Sequence, residues 1–496
     1  MSSPPGAASI RSSVLHGVAW KVVSQIVLQL SRIAVAVVIA RLLSPRDFGL
    51  AGMALIFSSL VLVFSDLALG AALVQRPSLT ERDRSTTFWI GVAAGLFFTG
   101  IGIAASGPLA DFYGEPEVRP LFAALSLSFL VTSLGTTQTA LLTREMRFRT
   151  LELRIMTGTI AGAAVGIALA VKGEGPWAII AQQLTIAVVS TTILWAASPW
   201  RPRLVFSVAS LRELAGFGGN VLGHRLLYYL HRNVDNLLVG RFIGPAALGA
   251  YSIAYNVMLV PFSRIAGPLQ EVLFPAFARM QYDPDRIVRV WTRVTRLVAS
   301  FSVPSLLGII IVAPEFVHTV LGERWSEVVP LLRILAWVGL LQSLQTLNGD
   351  ILQALDRTSL LLRYTIVFFL AHLTAFVIGL HWGVVGVAAG YAISSTIVEP
   401  LYAWVTCRTL GIPLRAFAGP LAGVFQAAAL MSGFVLVLQR LLVHEGVPSG
   451  ARLGLLVLAG AVAFAGTCAW RAPEITSELR ALAGGRTRAE PVRDPA

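Results

Sequence analysis

Apolar residues in this chain run in blocks of about twenty or more, separated by short stretches that carry most of the charge. A helix needs roughly 20 such residues to cross a hydrocarbon layer about 30 Å thick. By that criterion the pattern predicts fourteen spans, at 14–40, 48–73, 86–107, 120–142, 153–171, 176–197, 216–240, 248–276, 294–313, 330–354, 360–380, 383–406, 416–439 and 453–470. The connections are short and leave no room for an inserted soluble domain. The expected fold class is an all-α polytopic membrane protein.

Comparing the chain with itself adds a second level of order. The segment RLLSPRDFGLAGMA from Arg41 aligns without gaps with RFIGPAALGAYSIA from Arg241, matching Pro45 with Pro245, Gly49 with Gly249 and Ala54 with Ala254. The same offset pairs Arg32 with Arg232 upstream. An even number of predicted spans separates the copies, so both have one orientation. That predicts two six-helix bundles related by a pseudo-twofold along the membrane normal, with substrate between them. The expected organisation is a tail at 1–13, bundles at 14–213 and 214–415, two additional spans within 416–471, and a disordered Ala-, Gly-, Arg- and Pro-rich tail at 472–496.

Composition agrees with a membrane assignment. Of 496 residues, 55% are hydrophobic and 13% charged, with a mean hydropathy of +0.73; soluble domains carry about 25% charged residues. The net charge of +13 would suggest nucleic acid for a soluble chain, but its placement follows the membrane instead. With the N-terminus in the cytoplasm, and cations within a turn of a span end counted with the adjoining loop, the excess falls on the cytoplasmic side. Arg144, Arg147, Arg149 and Arg154 fall inside, and Asp111, Glu115 and Glu117 outside. Both termini are therefore expected in the cytoplasm, and no nucleic-acid partner is expected. The first apolar run is interrupted by Lys21 and Arg32 and followed by Arg41, so it reads as a retained span rather than a cleaved signal. Cys407 and Cys468 offer neither metal spacing nor a disulfide framework.

Five cations remain within the predicted spans: Lys21, Arg32, Arg225, Arg232 and Arg264. Each costs about 2.5–3.5 kcal/mol at a helix centre, so it must snorkel, pair or face a wet cavity. Lys21, Gln25, Gln29 and Arg32 recur at steps of four, four and three, on one helical face. Arg225, Tyr228 (or Tyr229), Arg232 and Asp235 (or Asn236) do the same in span seven, and the repeat maps Gln25 onto Arg225. Span eight adds Asn256 and Arg264, with Pro261 and Pro268 placed to bend it. Such stripes suit an anion-attracting cavity, where Arg offers a forked donor to phosphate oxygens. The competing reading is that Lys21 and Arg225 snorkel and Arg232 pairs with Asp235. Gln342 and Gln345 are further polar candidates for sugar contact. His231, His372, Asp66, Asp350 and Glu399 are candidates for a proton relay, or satisfied structural groups. Gly158, Gly162 and Gly166 give span five a small-residue face suited to close packing.

Two patterns carry less than their spelling suggests. Asp283-Pro284-Asp285 matches a metal–nucleotide signature but sits in a short loop with no nucleotide-binding domain, and reads as a solvated turn. No G-x-x-x-x-G-K-[ST] loop occurs, so the chain is not a self-sufficient ATP-driven pump. No cofactor or metal is expected.

ARLLSPRDFGLAGMALIFSSLVLVFSDLALGAALVQR from Ala40 resembles the first hairpin of the polysaccharide-transporter branch of the MOP flippase superfamily. TREMRFRT from Thr143, GPWAIIAQQ from Gly175, NVDNLLVGRFIGPAALGAYSIAYNVMLVP from Asn233 and FPAFARMQYDPDRI from Phe274 are similar to it as well. The likeness covers most of residues 14–410 and is closest to Wzx-type exporters of capsule and exopolysaccharide repeat units. It implies a MATE-like fold of two bundles around a central cavity. The implied substrate is a polyprenyl-pyrophosphate-linked oligosaccharide, moved from the cytoplasmic to the outer leaflet of a bacterial inner membrane for exopolysaccharide, capsule or lipopolysaccharide synthesis. Basic lumen residues matter in that family, a general idea carried here to Arg32 and Arg232. The two extra spans depart from its twelve-span form.

The expected function is thus a flippase rather than an enzyme, with lipid-linked oligosaccharide and membrane lipid as partners, and polysaccharide polymerase or export machinery as further candidates. A lipid II flippase and a multidrug exporter are the alternatives within the superfamily; an exporter of cations would want acidic lumen residues. A polytopic glycosyltransferase or polysaccharide polymerase is the alternative from another class. It would place catalytic groups in a sizeable external loop, and the acidic external candidates at 108–119 and 314–329 are short.

Overall fold

The computed structural model describes residues 34–65, 73, 79–207, 229 and 232–474. Among them there is no strand, and nine helical stretches are long and apolar enough to cross a membrane. Wherever a predicted span falls on described residues the backbone is helical, apart from the first residue of span six, Pro176, and an interruption at 345–347. In hydrocarbon no water satisfies a free N–H or C=O, so a spanning segment must close its own hydrogen bonds. The chain divides into two compact units, Met1–Gly249 and Ala250–Ala496.

The first unit holds helical residues 34–42, α1 (Pro45–Ser65), α2 (Glu81–Tyr113), α3 (Val118–Arg144), α4 (Phe148–Val171) and α5 (Trp177–Ala197). It also holds helical residues 232–242 and the start of α6 (Pro245–Arg279). α2 pairs with α3 and α4 with α5, while α3 also packs on α5 and α1. The expected small-residue face of α4 seats on α5. A Cβ at Gly162 would fall 2.6 Å from Ile186 Cγ1 and 2.7 Å from the Gln182 carbonyl oxygen, and one at Gly158 2.6 Å from Ser190 Oγ. Close backbone approach of this kind holds helices together where lipid removes the hydrophobic drive.

Helix ends depart from the apolar runs in instructive ways. α2 starts at a capping box, in which Thr80 Oγ1 accepts from Asp83 N–H (3.2 Å) and Asp83 Oδ2 from Thr80 N–H (3.0 Å). It runs through Pro108 and stops only where Gly114 turns left-handed at φ 70°, because an internal proline removes a single bond near the end of an otherwise intact ladder. The connection between α2 and α3 is therefore shorter than expected, and Arg46 bridges to its Glu115 (2.8 Å) and Glu117 (3.1 Å). On the expected cytoplasmic side, residues 198–207 lie as a strap over the start of α2. Trp200 Nε1 donates to Glu81 Oε1 (3.0 Å), Trp89 Nε1 to the Arg203 carbonyl (2.8 Å) and Ser207 N–H to Thr86 Oγ1 (3.0 Å).

The two copies of the repeated turn meet inside this unit. A Cβ added at Gly49 would lie within the Pro245 carbonyl, and one at Gly249 within the Pro45 carbonyl. Each helix start therefore presses its glycine onto the other's first turn, the reciprocity that a local twofold produces. The turns themselves close by different means. Ser44 N–H and Oγ both donate to Asp47 Oδ2 (2.9 and 2.6 Å), whereas the second copy uses Gly244 at φ 112°.

The second unit contains the rest of α6, then α7 (Pro284–Phe316), α8 (Val328–Leu344), α9 (Asn348–Ala354), α10 (Thr358–Gly379), α11 (Gly383–Thr409), α12 (Ala422–His444) and α13 (Ser449–Arg471). α7 packs on α8 and α10 on α11, with α8 against α11. Asp283 caps α7, its Oδ1 accepting from Arg286 N–H at 3.0 Å with Pro284 in the first turn. That is the solvated turn expected of the Asp-Pro-Asp.

The tenth predicted span is not one helix. It breaks at Gln345–Leu347, where Thr346 Oγ1 donates to the Ser343 carbonyl (3.0 Å) and Asn348 Nδ2 to Gln345 Oε1 (2.5 Å). Short polar side chains here offer the backbone local alternatives to the helical ladder.

The C-terminal hairpin α12–α13 is fastened to α7 by a buried charge. Glu315, 2% exposed, accepts from Gln439 Nε2 (2.9 and 3.0 Å) and lies 3.0 Å from Arg452 Nε. Ile311, Val312, Met431, Val435 and Leu456 pack into one apolar cluster between the same three helices.

Two outcomes follow from this packing. Gly49→Ala and Gly249→Ala each force a backbone carbonyl to move, at about 1–3 kcal/mol. Gly52→Ala, whose Cβ would sit 3.7 Å from Leu248, should leave the thermal midpoint in detergent unchanged; equal midpoints for all three would refute the close contact. Glu315→Ala leaves the Arg452 charge unmatched, a loss of about 3–5 kcal/mol. The hairpin should loosen, and maleimide labelling of the buried Cys468 should rise, while unchanged labelling would show that the apolar cluster holds the hairpin alone.

Candidate functional site

Seven of the nine residues expected to bind substrate are not placed. Lys21, Gln25, Gln29, Arg32, Arg225 and Tyr228 lie outside the described residues, as do Asp66 and His231, and Arg264 lies on α6 with its side chain outside them. Arg232 and Asn256 are described, in different units.

Arg232 is half-buried, one turn beyond Tyr229 and so on the same helical face. Tyr229 fixes that face: its hydroxyl donates to the Ile56 carbonyl on α1, and its own carbonyl accepts from Asn233 Nδ2 at 2.9 Å. Asp235, 3% exposed, follows at i+3 from Arg232, and its Oδ1 accepts from Asn236 N–H at 2.8 Å. Arg232 and Asp235 are both engaged by neighbours. Arg232 thus brings a charge that cannot be deprotonated to within one turn of a side chain tied to α1.

Asn256 is exposed on α6, its amide donating to the Ser252 carbonyl at 2.8 Å. Gln342 and Gln345 use side-chain groups internally: Gln342 Nε2 donates to the Tyr391 hydroxyl (2.7 Å), and Gln345 Oε1 accepts from Asn348.

Arg154 is a candidate that sequence reasoning missed. It was counted with the loop because it lies beside the start of its apolar run, but α4 begins at Phe148 and carries it beyond the first turn. Its Nη1 donates to Thr139 Oγ1 on α3 at 3.1 Å, and its Nε is buried without a hydrogen-bond partner. Nearby, Arg144 Nη1 reaches the Leu73 carbonyl (3.3 Å), and Arg147 Nη1 the Ala197 carbonyl (3.1 Å) and Glu145 (3.8 Å). An apolar cleft of about 600 Å³ lies between α10 and α11, lined by Ala371, Ala375, Ile378, Gly386, Ile393 and Ile397 among others. It holds no cation to attract an anion.

The sequence profile described as polysaccharide biosynthesis protein matches residues 38–330. Among curated relatives, the teichuronic acid biosynthesis protein TuaB of Bacillus subtilis is 28% identical over 95% of this chain and 98% of its own length. The lipopolysaccharide biosynthesis protein WzxC of Escherichia coli is 27% identical over 82% of this chain and 84% of its own. Of solved structures, the lipid II flippase MurJ in an inward closed conformation superposes with a TM-score of 0.72 at 12% identity, covering 92% of this chain and 99% of that one. An inward-facing multidrug resistance MATE transporter of the MOP superfamily gives 0.62 at 15%, covering 77% and 94%. These two show a shared fold at identities too low to carry function. The profile spans more than half of the chain, and with it the chain belongs to the polysaccharide biosynthesis protein family.

Proposed function

We propose that the protein is a flippase that moves polyprenyl-pyrophosphate-linked oligosaccharide repeat units from the cytoplasmic to the outer leaflet of a bacterial inner membrane. The observation that carries this reading is family membership over residues 38–330, joined to relatives named for polysaccharide biosynthesis or transport that align along most of the chain. Two further relatives are named as a succinoglycan biosynthesis transport protein and a probable glycan biosynthesis flippase, so the chain is read as a carrier and not a catalyst.

In this reading fourteen spans form two six-helix bundles, 14–213 and 214–415, with 416–471 as an added hairpin and both termini in the cytoplasm. The bundles alternate access to a cationic cavity. Arg32 and Arg232 hold the pyrophosphate, with Arg225, Arg264 and Lys21 as further cations. Gln25, Gln29, Tyr228 and Asn256 meet sugar, and the polyprenyl tail stays in lipid. Support for Arg232 comes from its half-buried place beside the Tyr229 anchor. Arg154 is the natural first contact at the cytoplasmic end, since one guanidinium nitrogen still lacks a partner there. Polymerase or export machinery would receive the flipped unit.

Deleting the gene should trap complete lipid-linked repeat units on the cytoplasmic leaflet. The wild-type gene should clear them; Arg232→Ala should lower export at least tenfold at unchanged protein level. Units lacking a sugar would point to an enzyme, complete units already facing outward would point to polymerisation, and normal export by Arg232→Ala would remove that residue from the mechanism.

A further inference from the structure

The second unit contains a buried polar stripe that neither the cationic cavity nor the packing explains. On α11, Tyr391, Ser395, Glu399 and Tyr402 follow at steps of four, four and three, and so share one helical face. Tyr391, Ser395 and Glu399 are 7%, 0% and 3% exposed. Ser395 Oγ, one turn from Glu399, is fully buried and has no hydrogen-bond partner. Opposite stand the broken ends of α8 and α9. The Tyr402 hydroxyl lies 3.1 Å from where a Cβ on Gly349 would be, within electrostatic reach of both Glu399 and Asp350. Asn348 Oδ1 and Asp350 Oδ2 are buried without hydrogen-bond partners.

No cation faces Glu399 among the described residues. From α10 come Tyr364, which donates to the Val398 carbonyl (2.8 Å) and stacks on Tyr402 at 4.1 Å, and His372, bonded to Ser394 Oγ at 2.6 Å. From α8 comes Gln342, bonded to the Tyr391 hydroxyl, and from α9 Asp350, within reach of Tyr402. Arg333, Arg363 and Arg415 on the packed elements are exposed. The contrast with Glu315, answered by Arg452 and Gln439, is direct. An unanswered carboxylate in hydrocarbon is costly enough that it takes up a proton or a cation. A metal ion needs several oxygens within about 2.6 Å. Here they are strung from Ser395 to Tyr402, about 10 Å along the helix at 1.5 Å per residue. A proton needs only one.

We infer that Glu399 is an exchangeable proton-binding site, with Tyr402 and Asp350 continuing the polar path toward the α9 end of the unit. Discontinuous membrane helices are where coupling ions are usually held, and the break at Gln345–Leu347 lies beside Asn348 and Asp350. The inference stands apart from the identity of the cargo.

The test is labelling by dicyclohexylcarbodiimide, which reacts with protonated carboxyls in apolar surroundings, read by peptide mass spectrometry on the full-length protein in liposomes. Glu399 should be labelled and Glu315 should not. Glu399 labelling should fall by about tenfold per pH unit above its midpoint, as one dissociating proton requires, and should be the same in NaCl and KCl. Glu399→Gln should keep the wild-type thermal midpoint and lose that adduct. Absence of the adduct at every pH, or protection by NaCl over KCl, would overturn the proposal, the second in favour of a sodium site.

Discussion

In hydrocarbon, a polar group without a partner costs several kcal/mol, because no water is present to serve in its place. The described structure is largely a set of answers to that constraint. Backbone groups close within helices. Hydroxyls on those helices turn back onto their own carbonyls, as Ser58 does to Ala54, Thr87 to Asp83 and Thr143 to Thr139. Indole nitrogens find carbonyls, Trp195 that of Leu134. Glu315 has a cation and an amide, and the two extra helices come with them. Some buried groups stay unanswered in both units, Tyr113, Gln138 and Arg154 Nε in the first and Ser395, Asn348 and one oxygen of Asp350 in the second; the last three lie on the paired helices α9 and α11.

The same scarcity of solvent changes what holds helices together. Lipid is as apolar as leucine, so association depends on close contact rather than on hiding surface. Glycine placement therefore carries much of the architecture. The α4–α5 contact runs through Gly158, Gly162 and Gly166. The crossing of the two repeated turns runs through Gly49 and Gly249, each of which excludes even a methyl group. A duplicated segment that meets its own copy can do so with one set of residues used twice. This explains how Pro45 and Gly49 reappear at an offset of 200 while the residues between them, Asp47 against Ala247, have diverged.

Much of the fold was legible because hydropathy reports the very constraint that shapes it. What it missed has local causes. The apolar run of span nine begins at Val294, but α7 starts ten residues earlier, since Arg286, Arg289 and Arg293 continue the helix beyond the apolar layer. Arg154 illustrates the same point, since its helix begins six residues earlier at Phe148: charge marks the edge of hydrocarbon and not the end of a helix. The break at Gln345–Leu347 was hidden in an apolar average, although Gln, Thr and Asn within six residues were its signal. The candidate site was legible only as faces. Periodicity put Arg232 one turn from a tyrosine and three residues from Asp235, but the tie from Tyr229 to Ile56 joins residues far apart in sequence, and no spacing rule contains it.

The chain distributes its charged side chains by what each can do. A guanidinium keeps its charge at any physiological pH, so it suits a partner whose own charge is permanent, as a pyrophosphate's is under the proposed function. It cannot transduce a gradient, because nothing about it changes when protons are offered. A carboxyl can change, but only if no fixed cation holds it ionised, which is the difference between Glu315 and Glu399. Pairing makes the first a fastener; apolar packing and a neighbouring helix break leave the second free to gain and lose a proton. A transporter that grips a dianion and draws on protons needs both kinds of residue kept apart, since an arginine beside Glu399 would end its titration and a carboxylate beside the cargo would repel it. The absence, among the described residues, of a cation facing Glu399 is therefore a requirement of the proton site, as much as the arginine stripe is of the cargo site.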